Sequence, residues 1–260
     1  MKEKYWVPAI ERADKVLRLI GEFPNQLRLI ELSKRLEMNK SSLFSLLNTL
    51  ETLKWVTKGE GDTYSLGPAL AGIGSAYFQQ FNIVQSFYKE AARSVHIINE
   101  HIQLGILEEG DVIYLGKMEG DSRVRLVTDP GMRFPAHASA IGKMQLTGFS
   151  KADLKEILQE PLKKKTEFTI SDIDTLYENL QEAKKNGYAI ENQEASLGFH
   201  CVAAPVYNFE NKMIASVSFT MMTNSWEQKR EAAKEEILQL ASRLSQLAGY
   251  AASQSKEPNK

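Results

Sequence analysis

The chain has 260 residues, 43% of them hydrophobic and 25% charged, and a net charge of −1 at pH 7. That length allows two domains, each with its own core, while the charge gives no overall attraction to nucleic acid. No run approaches the roughly 20 apolar residues needed to cross a bilayer, the first residues lack the apolar core of a signal peptide, and a lone cysteine, Cys201, excludes an internal disulfide framework, so a cytoplasmic protein is expected.

In chain order, residues 8–21 place Ile10, Ala13, Val16, Leu17 and Ile20 at helical spacing, with Pro8 at the start and Gly21 at the end. Residues 27–36 predict a short helix that buries Leu29, Leu32 and Leu36, and Glu37-Met38-Asn39 a tight break. Asn39 suits the N-cap of a longer helix over 40–54, because its side chain can accept an orphan amide of the first turn. Leu43, Leu46, Leu47, Leu50 and Leu53 form the core stripe of that helix, and Ser41, Ser42, Ser45, Asn48 and Thr52 its opposite face. Residues 55–58 and 63–66 flank Gly59-Glu60-Gly61-Asp62 as a β-hairpin. Helix, turn, helix and hairpin make a winged helix-turn-helix, a shape that fits a duplex groove. Charge supports this only mildly: the first 67 residues hold eleven Lys and Arg against nine Asp and Glu, a balance of +2.

Leu66-Gly67-Pro68 opens a further helix over 68–81, rich in small and apolar residues, which would be unstable exposed on all sides. It is expected as a linker helix packed against a partner subunit. An amphipathic helix over 83–101 begins the second domain, followed by strands over 102–108, 111–119 and 123–128, the first two joined by Glu109-Gly110. Residues 136–146 read as a loop leading into a helix, and Ser171-Asp172-Ile173-Asp174 caps another that stops at Asn186-Gly187. Strands over 188–194, 201–207 and 214–221 come next, the last two joined by a polar turn at 208–212. A helix over 227–250 buries Ile237, Leu240, Leu244 and Leu247, and residues 253–260 are a polar tail. The expected fold is α+β: a winged helix-turn-helix domain over 1–67, a linker helix over 68–82, and a sensor-like α/β domain over 83–260 with a largely antiparallel sheet.

Several separated segments, in order, resemble the IclR family of bacterial transcriptional regulators. They are Val7-Pro8-Ala9-Ile10-Glu11-Arg12-Ala13, Glu31-Leu32-Ser33 and Tyr64-Ser65-Leu66-Gly67-Pro68-Ala69-Leu70, then Pro135-Ala136-His137-Ala138-Ser139-Ala140-Ile141-Gly142-Lys143. The strongest runs from Gly187-Tyr188-Ala189-Ile190-Glu191 through Gly198-Phe199-His200-Cys201-Val202-Ala203-Ala204-Pro205-Val206. The resemblance covers almost the whole chain and implies a GAF-like effector-binding domain behind the winged helix and linker helix. It also implies homodimers, often assembled as homotetramers, that bind operator double-stranded DNA and respond to a small-molecule effector, commonly an organic acid.

The third helix would then lie in the major groove with its N-terminal half at the base edges. Ser42, Ser45 and Asn48 are its candidate base readers, and Lys40 and Ser41 its candidate phosphate contacts. Asn can pair bidentately with adenine, whereas Ser reads bases loosely. The family usually has arginine where Ser45 stands, so the best guanine reader is missing. Lys58 in the wing and Arg28, Lys34 and Arg35 on the second helix are candidate phosphate contacts, with a solvated surface charge the plainer alternative for each.

For the effector, Ala140, Ile141 and Gly142 with Glu191, Cys201, Ser218 and Thr220 form the candidate constellation. Amides at a helix start can hold a carboxylate. Ser218 and Thr220 alternate along a strand and so share a face, and the family arrangement puts Cys201 on a neighbouring strand. Family members commonly carry aspartate at 191 and serine at 220, so Glu191 and Thr220 reshape the pocket. A carboxylate in the wall would repel an anion unless it accepts ligand hydroxyls, which points to a hydroxylated or hydrated acid such as a sugar-derived one. His200, where the family has arginine, alternates away from Cys201, and His137 is expected to order its loop.

Enzyme readings lack support: Gly72-Ile73-Gly74-Ser75-Ala76-Tyr77 has no third glycine and follows no strand, and no Gly-x-Ser-x-Gly elbow occurs. His96 and His101, five apart on a presumed helix, are poorly spaced for one metal, so no catalytic residue, metal or cofactor is expected. The function expected is a DNA-binding regulator, a repressor, controlled by an effector. The alternatives are a GAF-fold enzyme using Cys201 and a ligand-independent DNA-binding or interaction module.

Overall fold

A computed structural model describes residues 6–121 and 128–251. The strand expected over 123–128, apart from Thr128, and the tail over 253–260 lie outside the described residues. The chain divides after Gln80 into two compact units, so the expected linker helix groups with the N-terminal one.

In the N-terminal unit, α1 (Pro8–Glu22), α2 (Leu29–Arg35) and α3 (Lys40–Thr52) precede a wing of β1 (Val56–Lys58) and β2 (Tyr64–Leu66). Ala13, Val16 and Ile20 of α1 close over Leu32 of α2, Leu43, Leu47 and Leu50 of α3, and Val56 and Tyr64 of the wing. Leu53, expected in the α3 stripe, is instead 49% exposed because it follows the last helical residue. Gly21 does not end α1, which continues to Glu22; its bare Cα faces Leu66, 3.3 Å from where a Cβ would sit. The break before α3 is set as expected, with Asn39 Oδ1 accepting the Ser41 amide at 2.9 Å.

β1 and β2 pair antiparallel, Val56 opposite Leu66. At Gly67 the chain passes so close to the third helix's end that a Cβ would lie 2.2 Å from the Lys54 carbonyl oxygen, and the Gly67 amide donates to Trp55 O at 2.8 Å. Only glycine allows this approach. Helix α4 (Pro68–Gln80) then leaves with an apolar sequence and an exposed surface, Ile73 at 55% and Tyr77 at 47%.

The C-terminal unit is a six-stranded sheet, order β5-β4-β3-β8-β7-β6, antiparallel at every pairing described. Its strands are β3 (His101–Glu108), β4 (Asp111–Met118), β5 (Arg133–Pro135), β6 (Ala189–Asn192), β7 (Phe199–Tyr207) and β8 (Met213–Met222). One face packs on α5 (Ile83–Ile98) and α9 (Thr223–Leu247) through Ile102, Leu104, Val202, Ala204, Val217 and Phe219. The other carries α6 (Ala140–Leu146), α7 (Lys151–Ile157) and α8 (Ile173–Asn186) over Val112, Tyr114, Ala189 and Ala203. Alternation along the strands assigns residues to one face or the other, except at a bulge in β4, where the register shifts between Tyr114 and Gly116 and turns Gly116 toward Phe87 of α5.

Several boundaries differ from expectation. α5 stops at Ile98, where Asn99 adopts the left-handed conformation (φ 57), so His101 opens β3 instead of sharing a helix with His96. β5 and α7 were not expected. α9 begins at Thr223, four residues early, burying Trp226. α8 ends as expected, with Gly187 left-handed (φ 75), and Asp172 Oδ1 caps its start on the Thr175 amide at 2.8 Å.

Candidate functional site

A cavity of about 310 Å³ opens on the α6 side of the sheet. Alternation builds its floor: Glu191 on β6, Phe199 and Cys201 on β7, Ser218 and Thr220 on β8 and Tyr114 on β4 share this face. Phe134, the first residues of α6 and the turn at Ala195 and Ser196 complete the wall. Six of the seven expected effector residues line it: Ala140, Ile141, Glu191, Cys201, Ser218 and Thr220.

Gly142 does not. Its amide donates to Ser139 Oγ at 3.1 Å, and a Cβ there would lie 2.3 Å from the Ala136 backbone. Its role is to let α6 press against the preceding turn. Helix α6 is moreover only two turns long, so its dipole is a minor source of anion affinity, and the polar side chains carry more of the chemistry.

Those side chains form a directed chain. Ser218 Oγ and Thr220 Oγ1 each donate to Gln103 Oε1 at 3.0 Å, and the Cys201 thiol lies 3.2 Å from Thr220 Oγ1. Burial, then the nearby Glu191 charge, pushes the Cys201 thiol well up, so it stays protonated and is a poor nucleophile. Gln103 was missed in the sequence; it faces the floor from β3, opposite Ser218. Three buried polar atoms around this site have no hydrogen-bond partner among the described residues: Gln103 Nε2, Thr128 Oγ1 and Glu191 Oε2.

Glu191 is fully buried. Its Oε1 accepts the amides of Glu194 and Ala195, the latter at 2.9 Å, which leaves Oε2 as its open side. Desolvation outweighs these amide bonds and pushes the carboxyl up to about 7. Near neutral pH the wall is therefore partly uncharged, which lessens the repulsion expected from a carboxylate at this position. Behind it, Lys143 on α6, also fully buried, pairs with Glu194.

The Glu191 shift fixes a stability prediction. The folded carboxyl holds its proton to about 7 and the unfolded one to 4.5, so the native state binds more protons between those values. Stability from this group is present below 4.5 and is lost as pH rises through 7, by about 3 kcal/mol in total. Glu191→Gln, which keeps the Oε1 acceptor, is expected to raise the melting temperature at pH 8 relative to wild type far more than at pH 4.5. Equal shifts at the two pH values would exclude an ionised, desolvated Glu191.

The two histidines near the motifs lie outside the cavity wall. His200 stacks on Trp226 (centroids 5.5 Å apart) between Asn192 Oδ1 and Thr223 Oγ1, and burial lowers its pKa. His137 Nε2 meets Lys163 O at 3.1 Å, fixing its loop.

In the N-terminal unit, Lys40, Ser41, Ser42, Ser45 and Asn48 are all exposed on α3. Their hydroxyls differ in use. Ser41 Oγ donates to Asn39 Oδ1 at 2.7 Å and Ser45 Oγ to Ser41 O at 3.1 Å, so both donors are engaged. Ser42 and Asn48 make no side-chain hydrogen bond among the described residues, which leaves them as the open readers. Phe44, 53% exposed on the same helix, was missed by the sequence reading. Lys58 is tied to Asp62 across the wing turn at 2.7 Å, whereas the exposed Arg28 guanidinium lies beside the wing tip at Gly61. Arg35 sits over the Phe23 ring at 4.4 Å. An open hollow of about 600 Å³ between α1 and α3, with Arg12, Asn39, Ser42 and Thr49 on its rim, contains none of the unpartnered buried atoms.

Two family models match the chain: the bacterial transcriptional regulator IclR C-terminal domain over residues 75–246 and the IclR helix-turn-helix domain over residues 9–60. The chain is 29% identical to the HTH-type transcriptional regulator KdgR of Escherichia coli K12, over 94% of each chain. It is 24% identical to the HTH-type transcriptional repressor AllR of the same strain, over 88% of this chain and 86% of AllR. The crystal structure of Agobacterium tumefaciens repressor BlcR shares the fold with a TM-score of 0.84, at 24% identity over 95% of this chain and 99% of that one.

Proposed function

The chain belongs to the IclR family of bacterial transcriptional regulators, DNA-binding proteins and not enzymes, and we propose that it is a cytoplasmic repressor released from its operator by a small hydroxylated acid. The observation that carries the ligand reading is the set of unpartnered buried atoms, Gln103 Nε2, Thr128 Oγ1 and Glu191 Oε2. Buried polar atoms are nearly always paired; Thr128 and Glu191 line the cavity and Gln103 lies against the lining residues Ser218 and Thr220, so the three open atoms suit a ligand with both donors and acceptors. Gln103 Nε2 can donate to a carboxylate, and Glu191 Oε2 can accept a hydroxyl. The volume, about 310 Å³, corresponds to about ten water molecules, which suits a small metabolite such as a sugar-derived acid. The raised, protonated Cys201 thiol, half-buried in the cavity wall, speaks against the alternative of an enzyme built on that residue.

The repressor polarity follows AllR, whose name describes it as a repressor. In this reading two copies join through the apolar helix α4, with a tetramer as the larger assembly. Their α3 helices reach half-sites about 34 Å apart, or a multiple of that. Effector in the cavity shifts the balance between a spacing that fits the operator and one that does not, a coupling of about 1–3 kcal/mol.

Titration calorimetry against pyruvate, benzoate and gluconate tests the ligand class: gluconate is expected to bind best, and binding only by benzoate or pyruvate would rule the hydroxylated class out. Operator affinity should fall roughly 5- to 150-fold at saturating effector. An affinity unchanged by an effector that demonstrably fills the site would leave a DNA-binding protein without a switch.

A further inference from the structure

Phe44 stands on the exposed part of α3, outside the buried core of the winged helix. The core beneath α3 is made by Leu43, Leu47 and Leu50, all almost fully buried, while Phe44 is 53% exposed. Successive helical residues turn by about 100°. Ser41, Asn48 and Thr52 therefore mark the centre of the exposed face, opposite the leucines, and Phe44 lies on its flank, about 60° from Ser41 and about 60° from Leu47. Phe44 and Asn48 are one turn apart, so their side chains are neighbours about 5–6 Å apart at Cβ.

The rest of this face has few donors to spare. The hydroxyls of Ser45, Thr49 and Thr52 all donate back to helix carbonyls, at 3.1, 3.0 and 2.8 Å. What remains beside Phe44 for a base pair is the Asn48 amide, since Ser42 projects from the other flank of the helix, about 160° from the ring. The major groove offers one apolar group, the C5 methyl of thymine, and asparagine pairs bidentately with adenine. A phenyl ring left in water is unfavourable, and seating it on that methyl removes both surfaces from water.

We propose that Phe44 is a specificity-determining residue that reads a thymine methyl group, within one or two base pairs of the adenine held by Asn48. The inference rests on the DNA-binding reading of α3 and adds to it a defined sequence preference. Each half-site then contains two A·T pairs no more than two steps apart, and apolar contact supplies discrimination that a guanine-reading arginine at position 45 would otherwise supply.

Selection of the full chain on random duplexes, followed by replacement of each selected thymine with deoxyuridine, removes the methyl and nothing else. For the wild type, one thymine per half-site is expected to lose about three- to tenfold in affinity on that replacement. Phe44→Ala should weaken binding to the thymine duplex by a similar factor and bind the two duplexes equally, whereas Asn48→Ala should bind less tightly yet keep the thymine preference. Because Phe44 is half-exposed and outside the core, Phe44→Ala should lower the melting temperature by no more than a few degrees, and the comparison of the two duplexes is made below it. The proposal is overturned if no selected thymine shows a methyl effect, or if Phe44→Ala keeps it. It is equally overturned if Phe44→Ala alters the sedimentation coefficient with the thymine preference intact, since the ring would then cover a second copy of the chain. Failure of the selection to enrich any sequence would instead sink the DNA-reading role of α3 itself, and this proposal with it.

Discussion

Replacing Lys143 with methionine is expected to destabilise the C-terminal unit by about 3–5 kcal/mol, the range seen when one partner of a buried ion pair is removed. Lys143 and Glu194 are both buried, and their ion pair joins α6 to the turn after β6. Glu194 Oε2 already lacks a partner among the described residues, so without the ammonium the whole carboxylate is left uncompensated beside Glu191. At ~2–4 °C per kcal/mol for a domain of this size, the thermal transition should fall by roughly 10 °C. The same turn supplies the amides that hold Glu191 Oε1 and contributes Ala195 and Ser196 to the cavity wall. Effector affinity should therefore drop along with stability. Lys143→Met combined with Glu194→Gln removes both charges and is expected to recover most of the loss, a coupling that a double-mutant cycle reads directly. A loss under 1 kcal/mol in the single variant would show that the pair does not anchor the turn.

Much of this site was legible because strand alternation is a local code. Ser218 and Thr220 share a face through their spacing alone, and the motif around Cys201 supplied the neighbouring strand. Gln103 escaped because a polar residue in a strand reads alike whether it faces solvent or a cavity; only the order β3-β8-β7, a long-range property, settles which. Gly142 was misassigned for a related reason. A glycine in a motif is equally consistent with ligand approach and with backbone packing, and the close Ala136 backbone decides for packing.

Short elements were harder still. Helix α7 buries little besides Leu154, too few residues to show a period, although Ser150 and Asp153 form a capping box that could have flagged it. β5 has three residues and no alternation to read. Phe44 was overlooked because a hydrophobic residue off the core stripe carries no periodic signal. The winged helix itself was readable almost to the residue, since leucine periodicity, the Asn39 cap and the glycine-rich wing turn all specify the same structure.

The second large effect is expected at α4, where sequence and exposure disagree most sharply. An apolar helix with Ile73 55% exposed is unfavourable in water, and the reading that joins two copies along it removes that surface. In a two-fold dimer the same patch is used by both subunits, so one substitution changes the seam twice. Ile73→Asp would place two carboxylates in an apolar interface. The helix itself should tolerate the change, since Asp in place of Ile costs a few tenths of a kcal/mol in an exposed turn. The predicted outcome is thus selective: a halved mass by sedimentation velocity, a melting transition that no longer depends on protein concentration, and an operator affinity lower by roughly 10²–10⁴-fold as bivalent engagement is lost. Ile73→Leu, which keeps the apolar surface, should retain both assembly and affinity. If Ile73→Asp remains dimeric and binds its operator unchanged, the copies meet elsewhere and α4 has no part in holding the two reading helices at their spacing.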